Sequence, residues 1–379
     1  MRLRRLLVLP VSVAVLAFLG FAGWLFSLPH AERAPPPAAI SLEERDATLE
    51  ALRPPKRERP VVAIIGLNES TETTDYLMPY GILKRADVAQ VLLVSARGGA
   101  VRLYPALSVE SELSMAEFDR RYPEGADYVV VPAMEPNDAP EILEWMRAQS
   151  AGGARIIGVC AGATVVANAG LLDDRRATTH WFYLGGLLKR HPEVMPVADR
   201  RYVVDGNVAT TTGISASLPM SLTLVEAIGG RARAEEVAQS LGVAHWDARH
   251  RSADFGLTRA FASTVMGNVV AFWNKERLPL RLTPGMDEVV LAMQADAWSR
   301  TYRSSVQTVS SGKETVRSLN GVRIHPDRIE AEYAGQSPLP ALEGRVVLEA
   351  LDENLAAIAA RYGQSTAEVV AMQLEYRWP

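Results

Sequence analysis

The chain's 379 residues include a single cysteine, and the residues around it suit chemistry. Cys160 stands in Gly158-Val159-Cys160-Ala161-Gly162, at the end of the apolar run Arg155–Val159 and just ahead of an apolar helical stretch over Thr164–Leu171. A nucleophile on a tight strand–turn–helix needs small neighbours, because the backbone must turn sharply while the side chain stands clear. The sulfur then lies near a helix N-terminus, where free N–H groups and the helix dipole favour thiolate over thiol. The pattern predicts a reactive cysteine; a small buried core thiol is the competing reading. A lone cysteine excludes an intrachain disulfide framework and a multi-cysteine zinc site. The other metal-like string, His245-Trp246-Asp247-Ala248-Arg249-His250, sets two imidazoles five apart, a spacing that shares a helical face poorly. It reads as a solvated loop or helix end, and neither a metal nor a cofactor is expected.

Several elements must position that cysteine. Val61–Gly66 is a continuous apolar run ending in glycine, which suits a strand buried on both faces. A helix around Leu77–Ala86, a second apolar run Val91–Val94, a third at Tyr128–Val131 and a helix over Glu141–Gln149 follow before the run into Cys160. This alternation predicts an α/β fold: a doubly wound, mostly parallel sheet with a nucleophile elbow and a site at the strand C-termini.

Ahead of this domain, Leu6–Leu28 carries no charge and is preceded by Arg2, Arg4 and Arg5. As a helix it would be roughly 35 Å long, enough for a hydrocarbon core of about 30 Å. Residues 1–29 are therefore expected to be a transmembrane signal anchor in the lipid bilayer, with a cleaved signal peptide as the alternative. The basic N-terminus would stay cytoplasmic and the globular part would be periplasmic. Residues 30–59, with Ala34-Pro35-Pro36-Pro37, Pro54-Pro55-Lys56-Arg57 and a short helix over Leu42–Leu52, read as a tether. Forty basic against forty-four acidic residues give −4, no footprint for a nucleic-acid partner.

The segment Ala169-Gly170-Leu171-Leu172-Asp173-Asp174-Arg175-Arg176-Ala177-Thr178-Thr179-His180-Trp181 resembles the stretch after the nucleophile in the ThiJ/PfpI superfamily of class I glutamine-amidotransferase-like proteins. His191–Val194, Tyr202–Val208 and Thr212-Gly213-Ile214-Ser215-Ala216 continue the likeness in order. It is strongest to the isonitrile-hydratase-like branch and to the sensory domains of AraC-type regulators. The resemblance covers roughly residues 60–230, within a domain drawn at 60–235. It implies Cys160 as nucleophile, His180 as base or proton shuttle, and Asp75 as a carboxyl that reaches the sulfur. It also implies a homodimer, and a small-molecule substrate held around Ala161, Ala133, Gly213 and Ser215. A structural imidazole and a helix-capping Asp75 remain the alternatives for two of these. The sequence departs from the family at Pro132-Ala133-Met134, where relatives have Pro-Gly-Gly, at Ala161 in place of Thr, and at Pro219 in place of Asp.

Residues 236–379 carry fewer signals. Phe261–Trp273 reads as an apolar core helix, and Leu348–Arg361 and Thr366–Tyr376 as two more, giving a mixed, mainly helical C-terminal region. At an offset of 215, Val94-Ser95 matches Val309-Ser310 and Val101-Arg102 matches Val316-Arg317, with Leu107 and Val109 facing Val322 and Ile324. Coincidence and a degenerate partial repeat both account for so few identities. No pair of helix-turn-helix units is evident. The functional expectation is a membrane-anchored cysteine hydrolase or hydratase acting on a small electrophile. The alternative is a non-catalytic ligand or redox sensor.

Overall fold

The computed structural model describes residues 19–30, 35–333, 337–342 and 344–378. Its main sheet has seven strands in the order Tyr202–Asp205, Val208–Thr211, Arg155–Gly158, Tyr128–Val131, Val61–Gly66, Gln90–Ser95, Leu113–Ser114. Every neighbouring pair is parallel except the first two, which form an antiparallel edge. The central strands are runs of Val, Ile and Ala because both faces are covered. Val62, Ile64, Val91, Leu93, Tyr128 and Val130 join one core, and Val61, Ala63, Ile65, Leu92, Val94, Val129 and Val131 the other. The first core packs under the helices Thr73–Ala86 and Ser217–Gly229; the second lies under Met115–Arg121, Pro140–Ala151 and Gly162–Asn168.

The remainder is mixed and mainly helical, as the sequence suggests. A second, three-stranded parallel sheet runs Glu276–Arg281, Ser304–Ser310, Arg328–Ile329, flanked by the helices Glu288–Ser299, Val347–Tyr362 and Gln364–Gln373. Its side chains Leu278, Leu280, Val289 and Val306 belong to the same core as helix Thr73–Ala86. The apolar stretch expected to pack as a core helix does not do so. In Arg259–Val270 only Ala262 and Asn268 are buried, and Met266, Val269, Val270, Phe272 and Trp273 are exposed.

The linker is also docked, which the reading as a tether did not anticipate. Helix Leu42–Ala51 ends on the buried Leu52, whose carbonyl accepts the Tyr128 hydroxyl at 2.6 Å. Arg200 grips Glu44 through Nε at 2.6 Å and Nη2 at 3.0 Å. Residues 1–18 of the expected anchor lie outside the described residues. Residues 19–27 are helical, and among the described residues no helix is long and apolar enough to cross a membrane.

The elbow fixes one residue absolutely. A Cβ on Gly162 would lie 2.0 Å from the Val131 carbonyl oxygen and 2.9 Å from the Pro132 carbonyl carbon. Backbone on both sides leaves nothing that can give way. Gly162→Ala is therefore expected to destabilise the fold by about 3 kcal/mol or more. Urea unfolding checks this; a midpoint equal to that of the parent would show that the elbow does not pack this closely.

Candidate active site

Cys160 adopts φ 55°, the left-handed region that an L-residue rarely occupies. The surroundings hold it there. Its N–H donates to Thr211 Oγ1 at 3.0 Å, its carbonyl accepts the Thr179 hydroxyl at 2.8 Å, and the Gly162 N–H closes the turn onto Val159. The sulfur is almost wholly buried, at the floor of a cavity of about 440 Å³. Tyr104, Phe182, Tyr183 and Tyr302 form a partly exposed aromatic rim around the opening.

Asp75 enters from the first turn of helix Thr73–Ala86. Its Oδ2 accepts the Ala133 N–H at 3.1 Å, while its buried Oδ1 has no hydrogen-bond partner. Burial, then the neighbouring Glu72, raises its pKa well above the usual carboxylate range, which favours the protonated carboxyl. The same forces act on the thiol. Burial, followed by Asp75, Glu72 and Glu375, pushes the Cys160 pKa well up. The expectation of a thiolate favoured by a helix N-terminus is thereby corrected. Helix Gly162–Asn168 has 7 residues, and the hydrogen bond from the Ala161 backbone lowers the thiol's pKa by less than burial raises it.

His180 lies on the same wall of the cavity, but both of its ring nitrogens are engaged. Nδ1 accepts the Phe182 N–H at 3.1 Å and Nε2 donates to the Gln373 carbonyl at 2.9 Å. That pattern fixes a neutral imidazole, and burial lowers its pKa further. The ring caps helix Trp181–Arg190 and has no free nitrogen for a shuttle to Cys160. Ala133 and Ala161 do line the cavity, although the Ala133 N–H is already given to Asp75. Gly213 and Ser215 do not line it and instead hold the C-terminal segment. The Gly213 N–H donates to Glu375 Oε2 at 2.7 Å, and Ser215 donates its N–H to the Leu374 carbonyl and its hydroxyl to the Glu375 carbonyl. His250, read from sequence as part of a loop, stacks on Phe255 at 5.1 Å between centroids and lies 3.5 Å from Glu375. Among the described residues, no cluster of His, Cys, Asp and Glu could hold a metal ion.

Four residues near the sulfur escape a reading of sequence alone. Glu72 caps the helix that carries Asp75, with Oε2 accepting the Asp75 N–H at 2.6 Å and the Thr74 hydroxyl at 2.9 Å. Its Oε1 receives Arg300 Nη2 at 2.8 Å, and Arg300 Nε reaches Asp296 at 2.7 Å. Glu375 Oε1 accepts the Trp181 N–H at 2.6 Å. Of the four, only Glu72 had a local signal, as an acid three residues ahead of Asp75 at a helix start.

Residues 61–227 match the DJ-1/PfpI family and form a domain of that family. The chain is 31% identical over 156 residues to the HTH-type transcriptional regulator CdhR of Pseudomonas aeruginosa, covering 41% of this chain and 45% of that one. It is 40% identical over 101 residues to the isonitrile hydratase of Pseudomonas putida, covering 27% of this chain and 42% of that one. The chain thus spans less than half the length of either relative. The crystal structure of Drosophila melanogaster DJ-1beta superposes with a TM-score of 0.45 at 23% identity, covering 49% of this chain and 100% of that one.

The charge balance at the sulfur sets a measurable order. Alkylation of Cys160 in the folded chain is expected to have its midpoint above the roughly 8.5 of a free cysteine. Asp75→Asn removes a carboxyl whose ionised form opposes thiolate, so the midpoint should fall. A profile unaltered by that substitution would place Asp75 too far away to act on the sulfur.

Proposed function

Starting from a DJ-1/PfpI domain, we propose that this protein is a cysteine-dependent hydratase or hydrolase acting on a small, uncharged molecule with an electrophilic carbon. The observation that carries the reading is the strained elbow that sets a buried Cys160 at an aromatic-rimmed cavity, with the buried Asp75 carboxyl bonded to the Ala133 N–H of the cavity wall; burial raises the pKa of both groups. Two neutral acids suit a substrate that must accept a proton before it is attacked. Asp75 gives its proton to the substrate, the resulting carboxylate takes the proton of Cys160, and the thiolate formed inside the cavity attacks the activated carbon. Water then cleaves the carbon–sulfur bond and restores the thiol, so that no cofactor is consumed. An isonitrile carbon fits these demands, and the likeness to an isonitrile hydratase supports it.

A sensor reading draws on a different observation. The Ala133 N–H that could hold a developing oxyanion is spent on Asp75, and the domain is shared with a transcriptional regulator. In that case the cavity binds a ligand, or Cys160 is reversibly oxidised, without turnover.

For placement we propose a single-pass anchor through Leu6–Leu28 with the globular part outside the cytoplasm. The helical residues 19–27 meet the first residue of helix Arg259–Val270, with Arg259 Nη2 donating to the Phe26 carbonyl at 2.6 Å. A reporter fused after Pro379 should be active only outside the cytoplasm; cytoplasmic activity reverses this assignment.

A panel of isonitriles and small amides tests the chemistry. Cys160→Ser is expected to abolish turnover, and Asp75→Asn to lower it by about 10²-fold or more. The rate should fall as pH rises through the raised pKa of Asp75, because the neutral acid is the working form. Binding without turnover across the panel would instead select the sensor.

A further inference from the structure

The second sheet repeats the first at fixed spacing. Val101 lies opposite Val109 in one ribbon, and 215 residues later Val316 lies opposite Ile324. Val94 pairs with Leu113, and Val309 with Arg328 at the same spacing. The strand Val61–Gly66 and the helix Thr73–Ala86 reappear as Glu276–Arg281 and Glu288–Ser299. The one slip is at the first strand, where Val61 stands beside Gln90 but Glu276 beside Ser304.

Further along, the spacing becomes 133. Helices Ser217–Gly229 and Arg231–Ser240 are joined by Gly230 at φ 83°, ψ 167°; Val347–Tyr362 and Gln364–Gln373 are joined by Gly363 at φ 93°, ψ 153°. The turns that follow match bond for bond. The Val243 N–H reaches the Ala238 carbonyl as that of Tyr376 reaches Ala371, and Gly242 and Glu375 both take positive φ. The fall from 215 to 133 means a loss of 82 residues, in the region that holds the central strands and the Cys160 elbow in the first copy.

The two copies also face each other as a two-fold pair does. Val109 pairs with Ile324, its own counterpart at 215. Arg85 bonds Asp287 at 2.5 Å, and the counterparts of those residues, Arg300 and Glu72, bond at 2.8 Å. A Cβ on Gly213 would lie 2.8 Å from Glu375 Cγ; with the roles exchanged, one on Gly242 would lie 2.6 Å from Val346 Cγ2. Contacts in which i meets j and j meets i are the signature of an isologous interface, and incidental packing of unrelated segments has no reason to produce them.

We propose that residues 276–376 are a truncated second copy of the 61–243 domain, seated where a two-fold partner would sit. Having lost its own elbow, this copy serves as a fixed wall of the Cys160 site through Arg300, Tyr302 and Gln373, with Glu375 holding the Trp181 and Gly213 N–H groups beside it. The interface has become unequal in function while staying symmetric in form. Arg85 and Arg300 make matching ion pairs across the junction, but Arg300 also binds Asp296 and only Arg300 lines the cavity. The first copy sets Glu72, Asp75 and Tyr183 in the electrostatic surroundings of the sulfur, and the second sets Arg300 and Glu375 there, with Asp296 bonded to Arg300.

The symmetry supplies its own control. Arg85→Ala and Arg300→Ala delete matching ion pairs in the full chain. Iodoacetamide labelling of Cys160 across pH is expected to shift upward by about one unit in Arg300→Ala, with labelling about tenfold slower at pH 8, and to stay within about twofold in Arg85→Ala. Glu375→Gln keeps the side-chain shape and removes a negative charge, so its profile should shift downward. It serves as the test if Arg300→Ala does not fold. Equal shifts in the two arginine variants, or an unmoved profile in Glu375→Gln, overturn the proposal. Labelling needs no turnover, so the result stands apart from the choice between enzyme and sensor.

Discussion

Glu72 joins the fold to its chemistry. One oxygen of its carboxylate caps the helix that carries Asp75, and the other receives Arg300 from the far half of the chain. A helix cap is worth about 1 kcal/mol, whereas removing one member of a buried ion pair costs about 3–5 kcal/mol because the other charge is stranded. The stronger hold therefore lies across the junction between the halves, and the position of Asp75 depends on it. The carboxylate also raises the pKa of Asp75 and of Cys160. Structural cohesion and suppression of the thiol's charge have the same source.

Burial and the surrounding carboxylates set this site against ionisation of its thiol. A nucleophilic cysteine in an electropositive setting is favoured as thiolate; here that form is disfavoured unless the proton balance in the cavity changes. The neutral His180, locked between two backbone groups, cannot supply that change, which leaves Asp75 as the group facing the sulfur with an unused oxygen. The same property serves a catalyst that must spare its nucleophile between turnovers and a detector that must respond only to its own ligand.

What the sequence made legible followed the range of the interactions involved. The buried strands at Val61–Gly66 and Tyr128–Val131 announce themselves as unbroken β-branched runs, and the elbow is local, so small residues around Cys160 suffice to find it. His180 shows where local reading stops. Its position near the site is visible in the motif, but its role is set by the Gln373 carbonyl, 193 residues away. Arg300 and Glu375 act across the junction between the halves, and nothing in their own neighbourhoods distinguishes them from other surface charges. Helix Arg259–Val270 misleads in the opposite way, because apolar composition alone does not say whether anything covers it. Periodicity sees a face, not what lies against it.

The docked linker sets where the folding unit starts. Family likeness begins at residue 61, yet the Tyr128 hydroxyl reaches back to Leu52, Asp127 accepts the Lys56 N–H at 3.1 Å, and Lys56 Nζ ties down the carbonyls of Glu124 and Ala126 at 2.8 Å each. A chain trimmed to the family boundary would lose Leu52 and Lys56 and strand the groups they bond. The mechanical boundary thus lies near the Ser41 cap, some twenty residues earlier. Tension applied ahead of it would be borne first as shear along helix Leu42–Ala51 and the edge strand it clasps, before any load reached the strands that hold Cys160.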